Sequence, residues 1–132
     1  MADRNHEISS RLVPAAVGAY SQGIVSSGAK TIYVSGQLPI DSKTGEFVAG
    51  GISELTDAVI DHMDAILKEA EATLDDVVRV DVFLTDMKNI AAMNAVYEKR
   101  FSKKPYPARQ TIQVVALPKG SMIEMSCIAQ IH

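Results

Sequence analysis

The first residue whose type and position could do chemistry is Arg109, in the stretch "PYPARQTIQVV" from Pro105 to Val115. A guanidinium group is permanently charged and binds a carboxylate through two parallel hydrogen bonds. Arg109 follows a Pro-Tyr-Pro bend and starts a run typical of a β-strand, so its side chain would be held in one orientation. It could bind a small anion, or it could form an ordinary salt bridge at the rim of the protein.

Glu124 is the second candidate, because it interrupts the apolar run "MIEM" in the predicted last strand. A carboxylate on a buried strand needs a partner, since burial disfavours its charged form and raises its pKa. Such a group could hold or activate a water molecule. The alternative is a structural ion pair, for which Arg109 and Arg79 are the candidate partners.

Three further residues could line a pocket near these charges. Asn94 lies at the edge of the apolar stripe of a predicted helix and could donate a hydrogen bond into a pocket, although such residues more often bond locally. Tyr20, in "GAYSQG", could line a pocket or fill the core. Gly36, in "SGQLP", allows a close approach of backbone to a ligand, or it forms an ordinary bulge or turn. Cys127 alternates with Glu124 along its strand, which predicts a small buried residue and not a nucleophile.

Composition narrows the function classes. A chain of 132 residues fits one domain, residues 1–132, and a net charge of −3 argues weakly against binding nucleic acid, which depends on Lys and Arg. No apolar stretch approaches the roughly 20 residues that cross a bilayer. A single cysteine and no secretory signal predict a cytoplasmic protein. The scattered residues His6, His62 and His132 lack metal-ligand spacing, so no zinc site is expected.

The elements that must position the candidates follow from the periodicity of the sequence. The runs "GIVSSG" and "TIYVSGQLPI" predict two strands joined by a turn. Helical spacing predicts a first helix from about Ser53, its N-cap, to Ala72, with one stripe formed by Leu55, Val59, Met63, Ile66 and Ala70. Alternation predicts a strand from Val77 to Leu84, with one apolar face formed by Val78, Val80, Val82 and Leu84.

A second helix follows, which Asp86 or Asn89 can cap, and its apolar stripe consists of Ile90, Met93, Tyr97 and Phe101. The last two predicted strands run from Ala108 to Ala116 and from Met122 to Ile131. This order predicts an α/β (α+β) fold, with one sheet and both helices on one of its faces. The other face would have mixed polarity, which is typical of a subunit interface, and would carry Arg109, Thr111, Gln113, Glu124, Ser126, Ile128 and Gln130.

Several segments together resemble the YjgF/RidA family, the reactive-intermediate deaminases. They are "AAVGAYSQGI", "VSGQLPID", "TGEFVAGGI", "DVVRVDVFLTDM", "MNAVYEKRF" and "YPARQTIQVVALPKGSMIEMSCIA". The similarity covers nearly the whole chain in the expected order, and its most specific part is the "PAR", "LPKG" and "IE" succession. The resemblance implies a chorismate-mutase-like fold with a single six-stranded mixed sheet, assembled as a homotrimer with sites between subunits.

The resemblance also implies an activity, the hydrolysis of 2-imino acids to 2-oxo acids and ammonia without metal or cofactor. Arg109 would hold the substrate carboxylate, Glu124 would position the attacking water, and Thr111 would act mainly through its backbone carbonyl. The rest of the implied pocket is Tyr20, Gly36 and Asn94. The alternative is a regulatory module that binds 2-oxo acids or other small carboxylates without turnover.

This chain departs from the usual pattern of the family at five positions. Ala19 stands where a proline is common, and Glu71 where a glycine is common. The first helix has other residues where Gln and Asn are usual, namely Leu55, Ala58 and His62. These departures bear on the shape of the cleft and not on the implied chemistry.

The two charged candidates are predicted to act from different subunits. If their strands formed a simple hairpin, Arg109 and Glu124 would lie about 20 Å apart. If their strands are not neighbours, an intervening strand still separates them. We therefore expect each site to combine two sets of residues, with Asn94, Arg109 and Thr111 from one subunit and Tyr20, Gly36 and Glu124 from its neighbour.

Overall fold

The structure, a computed structural model, describes residues 5–12 and 14–131. Its strands are β1 (Asn5–Ile8), β2 (Gly23–Ser26), β3 (Lys30–Gln37), β4 (Val77–Leu84), β5 (Ala108–Gln113) and β6 (Ile123–Ile131). Its helices are α1 (Ile52–Glu69) and α2 (Ile90–Arg100). Three short 3₁₀ helices accompany them, Leu74–Asp76, Met87–Asn89 and Pro118–Gly120.

The described strands fall into two sheets. β1 and β2 pair antiparallel, and the other four form a sheet with the order β3-β6-β4-β5. β4 is parallel to β5 and antiparallel to β6, so the sheet is mixed, and α2 provides the crossover that a parallel pair requires. A single bridge between Ser21 and Ala108 joins the segment before β2 to β5. The described strands therefore do not form the single six-stranded sheet that the resemblance implied, because β2 pairs with β1 instead of β3.

Both helices pack on one face of the four-stranded sheet, which confirms the predicted α+β fold. α1 lies against β3 and β6, and α2 lies beside α1. The alternating residues of β4 and β6 build the core on this face: Val80, Val82, Leu84, Ile123, Met125, Cys127 and Ala129 are all buried. The alternation predicted for β4 holds from Val80 onward. An irregularity of the β4–β6 register between Val77 and Arg79 leaves Val77 buried and Val78 half-buried.

The first helix begins at Ile52, two residues before the start that a Ser53 N-cap predicts. Its N-cap is Gly51 and not Ser53, and the Gly51 N–H donates to the Glu54 carboxylate at 2.8 Å. The buried stripe also continues differently, through Leu67 instead of Ile66 and Ala70, which are exposed. Leu67 follows Met63 by four residues, about one helical turn, and therefore lies on the same buried side of α1.

The second helix agrees with its prediction. Asp86 caps the 3₁₀ turn that leads into α2, and its carboxylate accepts a hydrogen bond from the Lys88 N–H at 2.9 Å. Met93, Tyr97 and Phe101 are buried. Arg100 at the end of α2 joins this helix to α1 through Asp57 at 3.0 Å and Asp61 at 2.7 Å.

The predicted face of Arg109, Thr111 and Gln113 is wrong. β5 runs parallel to β4 with Arg109 in register with Val80 and Thr111 with Val82. Residues in register on paired strands point to the same side, so Arg109 and Thr111 point to the helix side. Polar residues can occupy that side because β5 is the last strand of this sheet and lies at the border of the core.

The other face of the sheet carries Glu124, Ser126, Ile128 and Gln130, as predicted. Large residues are exposed there, since Tyr33 is 75% and Ile112 is 41% exposed.

Among the described residues, no helix has the length and apolar character needed to cross a membrane.

Candidate active site

Arg109 is held by two residues of α2. Its Nη1 donates a hydrogen bond to Asn94 Oδ1 at 2.8 Å. Its guanidinium carbon lies 4.6 Å from the centre of the Tyr97 ring. Asn94 and Tyr97 are three residues apart and therefore project from the same side of the helix. Asn94 thus accepts a hydrogen bond from the guanidinium, and the Tyr97 ring lies beneath its central carbon.

Arg109 has no carboxylate partner in the part of the chain that the structure describes. The ion pairs there join Lys68 to Asp64, Arg79 to Asp81, and Arg100 to Asp57 and Asp61. The hydrogen bond to Asn94 uses Nη1, so the edge formed by Nε and Nη2 has no acceptor among the described residues. The alternative of an ordinary salt bridge therefore finds no partner for Arg109 within the described chain. This free edge has the geometry that binds a carboxylate through two hydrogen bonds.

Tyr97 provides a buried floor beneath the guanidinium. The side chain is completely buried, and its ring stacks on Phe101 with a centroid distance of 4.6 Å. Its hydroxyl has no hydrogen-bond partner among the described residues. Burial raises the pKa of this hydroxyl well above its ordinary value, and the positive charge of Arg109 offsets only part of the shift. The ring therefore stays neutral below the cation.

Glu124 lies against Gly36 on the opposite face of the sheet. The register of β3 and β6 shifts between Val34 and Gln37, and Gly36 lies within this irregularity. A Cβ added at Gly36 would overlap the Glu124 carboxylate and lie 2.8 Å from its Cδ. Gly36 therefore lies in an irregularity of the strand, as the alternative predicted, and its lack of a side chain also lets Glu124 approach the backbone closely.

Glu124 also has no ion-pair partner among the described residues. Arg79, one of the two candidate partners, pairs with Asp81 at 2.9 Å. Arg109, the other candidate, points to the helix side of the sheet. Within the described chain, neither candidate partner therefore forms an ion pair with Glu124, whose side chain is half-buried.

Within one chain, Arg109 and Glu124 are too far apart to share a small substrate. β4 lies between their strands, which separates them by about 10 Å across the sheet. Arg109 is level with Val80 and Glu124 with Phe83, a further offset of about 10 Å along the strands. The two side chains also point to opposite faces. The intervening strand that the sequence analysis considered is therefore present.

Tyr20 lies on the β5 side of the molecule. The next residue, Ser21, bridges to Ala108, and its hydroxyl donates to the Tyr106 carbonyl. Tyr20 itself lines a cleft of about 210 Å³ together with Gly18, Lys104 and Tyr106. The segment that contains Tyr20 lies beyond β5, so three strand spacings, about 14 Å, separate it from β6, the strand of Glu124. Within one chain, Tyr20 therefore lies nearer the strand of Arg109 than the strand of Glu124, with which it was grouped.

Two other predicted residues have simpler positions. Thr111 lies on the helix side two residues after Arg109, and its buried hydroxyl has no partner among the described residues. Cys127 is 2% exposed within the core, and burial raises the pKa of its thiol to about 12. The interpretation of Cys127 as a small buried residue is confirmed.

One departure from the family pattern has a visible structural role. His62 of α1 hydrogen-bonds through Nε2 to the Ile40 carbonyl at 2.7 Å. This contact ties α1 to the segment that follows Gly36, beside a cleft of about 520 Å³ lined by Gly36, Leu38, Ile40, His62 and Ile66 among others.

Among residues 5–12 and 14–131, no cluster of three or more His, Cys, Asp or Glu side chains could hold a metal, and His132 lies outside the described residues.

The sequence analysis missed the contribution of Tyr97 to the site. The apolar stripe of the second helix placed Tyr97 in the core, where it does lie, but gave no indication that its ring would face Arg109. The available signal was the spacing of Asn94 and Tyr97, which share one side of α2. Using it required knowing that β5 presents Arg109 to the helix.

The chain is similar to known proteins in both sequence and structure. The family model described as Endoribonuclease L-PSP matches residues 10–131. A RutC family protein of Pyrococcus abyssi is 47% identical over 116 residues, which cover 88% of this chain and 89% of the relative. The human 2-iminobutanoate/2-iminopropanoate deaminase is 39% identical over 122 residues, 92% of this chain and 87% of the relative. The solved structure of E. coli TdcF with bound serine has 31% identity and a TM-score of 0.72, covering 95% of this chain and 98% of that one.

Proposed function

Because the chain belongs to the YjgF/RidA family, whose model covers residues 10–131, we propose that it is a 2-iminobutanoate/2-iminopropanoate deaminase. The observation that carries the proposal is the unpaired, doubly held guanidinium of Arg109. A half-buried cation without a carboxylate partner in the described chain is suited to receive one from a ligand. Both the deaminase substrates and the serine bound by the TdcF relative carry such a group.

In the proposed reaction, the substrate carboxylate lies on the free edge of Arg109. Nε and Nη2 donate one hydrogen bond to each carboxylate oxygen, while Nη1 keeps its bond to Asn94. This two-point contact fixes the imine carbon next to the carboxylate in one orientation. The backbone carbonyl of Thr111 accepts a hydrogen bond from the substrate nitrogen or the water.

Glu124 supplies the proton transfers. Its carboxylate accepts a proton from a water molecule whose oxygen forms a bond to the imine carbon, and it passes this proton to the nitrogen, which takes it up with the C=N electron pair. Glu124 then removes the hydroxyl proton of the resulting carbinolamine and passes it to the amino nitrogen, so that the C–N bond breaks, ammonia leaves and the C=O bond forms. One water is consumed, and one 2-oxo acid and one ammonia are produced. No redox step is involved.

The proposed site combines two chains of a homotrimer. Arg109 and Glu124 lie on different faces of one sheet and are separated along both of its directions, so one chain supplies only half of a site. The exposed Tyr33 and Ile112 on the Glu124 face suit a surface that a second copy covers. In this arrangement one subunit supplies Asn94, Arg109, Thr111 and also Tyr20, and its neighbour supplies Gly36 and Glu124.

The family description names an endoribonuclease, but this chain fits a small carboxylate better. Affinity for RNA depends mainly on Lys and Arg contacts to phosphates. The net charge of the chain is −3, and Arg109 is presented by a tyrosine ring and an amide instead of a basic patch. We therefore assign the site to 2-imino acids.

The test is a coupled assay. A pyridoxal-phosphate dehydratase generates the imine from threonine or serine, and release of ammonia or 2-oxo acid is followed with and without the purified protein. The proposal predicts acceleration that Arg109→Ala abolishes. Equal rates with and without the protein, while a known deaminase works in parallel, would contradict it. Binding of 2-oxobutanoate at the same site without turnover would favour the regulatory module instead.

A further inference from the structure

From the contacts of Arg109 we infer that Tyr97 is a positioning residue: its buried ring holds the guanidinium in the plane that presents the free Nε–Nη2 edge to the substrate carboxylate. This inference rests on the proposed carboxylate-binding role of Arg109. It assigns a function to a residue that makes no direct contact with substrate.

The geometry shows that two different restraints act on one cation. The hydrogen bond from Nη1 to Asn94 Oδ1 fixes a single point on the guanidinium edge. One hydrogen bond leaves the planar group free to rotate about that contact. The ring of Tyr97, 4.6 Å from the guanidinium carbon, removes this rotation because a cation is attracted to the face of an aromatic ring within about 6 Å. Asn94 and Tyr97 together therefore leave one orientation.

The floor itself is rigid. Tyr97 is completely buried, and Phe101 stacks on it with an interplanar angle of 26°. Asn94, Tyr97 and Phe101 succeed one another at steps of three and four residues, so one side of α2 carries the whole support. The backbone hydrogen bonds of α2 thus hold these three side chains in fixed positions beside the guanidinium.

The ring, and not the hydroxyl, is the functional part of Tyr97. The hydroxyl has no hydrogen-bond partner among the described residues, so it does not orient a neighbour in this part of the chain. The competing interpretation is that Tyr97 only fills the core. If Tyr97 only fills the core, ligand affinity should depend on the volume of the side chain at position 97. If Tyr97 positions the cation, ligand affinity should depend on the electron density of the ring face.

The sharpest experiment changes that electron density at nearly constant volume. Tyr97→Phe is the reference, and residue 97 is then replaced by phenylalanines carrying one, two and three ring fluorines. The dissociation constant for 2-oxobutanoate and the deaminase kcat/KM are measured for each. We expect stepwise weakening that totals roughly 2- to 30-fold, the range of cation–π contacts. A flat series in a protein that binds the ligand would overturn the inference.

A ligand-free measurement separates this inference from the proposed function. The Nε–H of Arg109 is followed by 15N relaxation in the wild type, Tyr97→Phe and Tyr97→Leu, and the Arg109→Lys spectrum assigns the signal. The order parameter should be high in the first two proteins and fall in Tyr97→Leu. Unchanged order in Tyr97→Leu would overturn the positioning role, whether or not the protein deaminates imines. Absence of turnover with the expected change in order would reject only the deaminase proposal.

A double-mutant cycle excludes a general packing effect. Tyr97→Leu should weaken 2-oxobutanoate binding in the wild type but add little to the loss caused by Arg109→Ala, because the ring acts through that cation. Met63→Leu, a similar change in the fully buried stripe of α1, is the matched control and should leave affinity as in the wild type. Equal effects of Tyr97→Leu with and without Arg109 would show that Tyr97 is structural only.

Discussion

Replacing Gly36 by alanine should lower activity without lowering stability. The added Cβ would lie 2.8 Å from Glu124 Cδ and 3.2 Å from Cγ, and it would overlap the carboxylate oxygen. To restore an ordinary contact of 3.4 Å, the carboxyl carbon must move by about 0.6 Å, and the oxygen must move further. Because the obstructing atoms are the end of a flexible side chain, the fold can accept the methyl group by displacing Glu124.

The two expected magnitudes have different origins. A misplacement of about 1 Å in a catalytic group can cost roughly 100-fold in rate, so Gly36→Ala should lower kcat by about 10- to 100-fold. Gly36 does not have a positive φ, so alanine can adopt its backbone conformation. Removing the freedom of glycine from the unfolded chain then stabilises the protein by up to about 1 kcal/mol.

The coupled ammonia assay and a thermal melt measure both quantities on one preparation. Gly51→Ala is the matched control, because a Cβ there meets only Glu54 Oε1, at the ordinary distance of 3.8 Å. It should leave kcat as in the wild type. Wild-type turnover in Gly36→Ala would refute the reasoning that the Glu124 position matters. A large drop in melting temperature would refute the separation of activity from stability.

Three further predictions concern residues around the site and in the core. Arg109→Lys should lower kcat/KM by about 30- to 1,000-fold with the fold intact, because lysine keeps the charge but cannot make the planar two-point contact; near-wild-type kinetics would make Arg109 structural. Asn94→Ala should weaken 2-oxobutanoate binding by about 10-fold in a titration, since the charged Nη1 loses its acceptor. Burial raises the pKa of Cys127 from 9.0 to about 12, so the unfolded chain releases this proton first and stability should fall as the pH rises from 9 towards 12. Urea midpoints against pH would show this fall, and Cys127→Ala should reduce it.

The sequence alone predicted those elements whose pattern reflects a single packing surface. The alternation of β4 from Val80 and the stripe of α2 depend on one apolar face, and both were found. The N-cap of α1 was predicted wrongly because Glu54 reaches back to the Gly51 N–H, a contact that competes with a Ser53 cap and leaves no periodic signal.

The candidate site was predictable in its residue types and not in its geometry. The face of Arg109 was predicted from alternation with Ile112 and Val114, which assumes that apolar residues point to the core. At the border of the sheet that assumption fails, because the parallel register with β4 decides which side faces α2. The position of Tyr20 beside β5 left no local signal either, since the bridge from Ser21 to Ala108 joins residues far apart in the sequence.

The measurement that tests the central claim most directly is complementation between two inactive variants. Arg109→Ala and Glu124→Ala are unfolded together in equal amounts, refolded, and assayed for ammonia release, with mixed assembly verified by mass spectrometry. In a cyclic trimer whose sites combine two chains, random mixing restores about one site in four, so roughly a quarter of wild-type activity should return. No recovery in demonstrably mixed trimers, with each variant folded alone, would contradict the account and show that each site belongs to one chain.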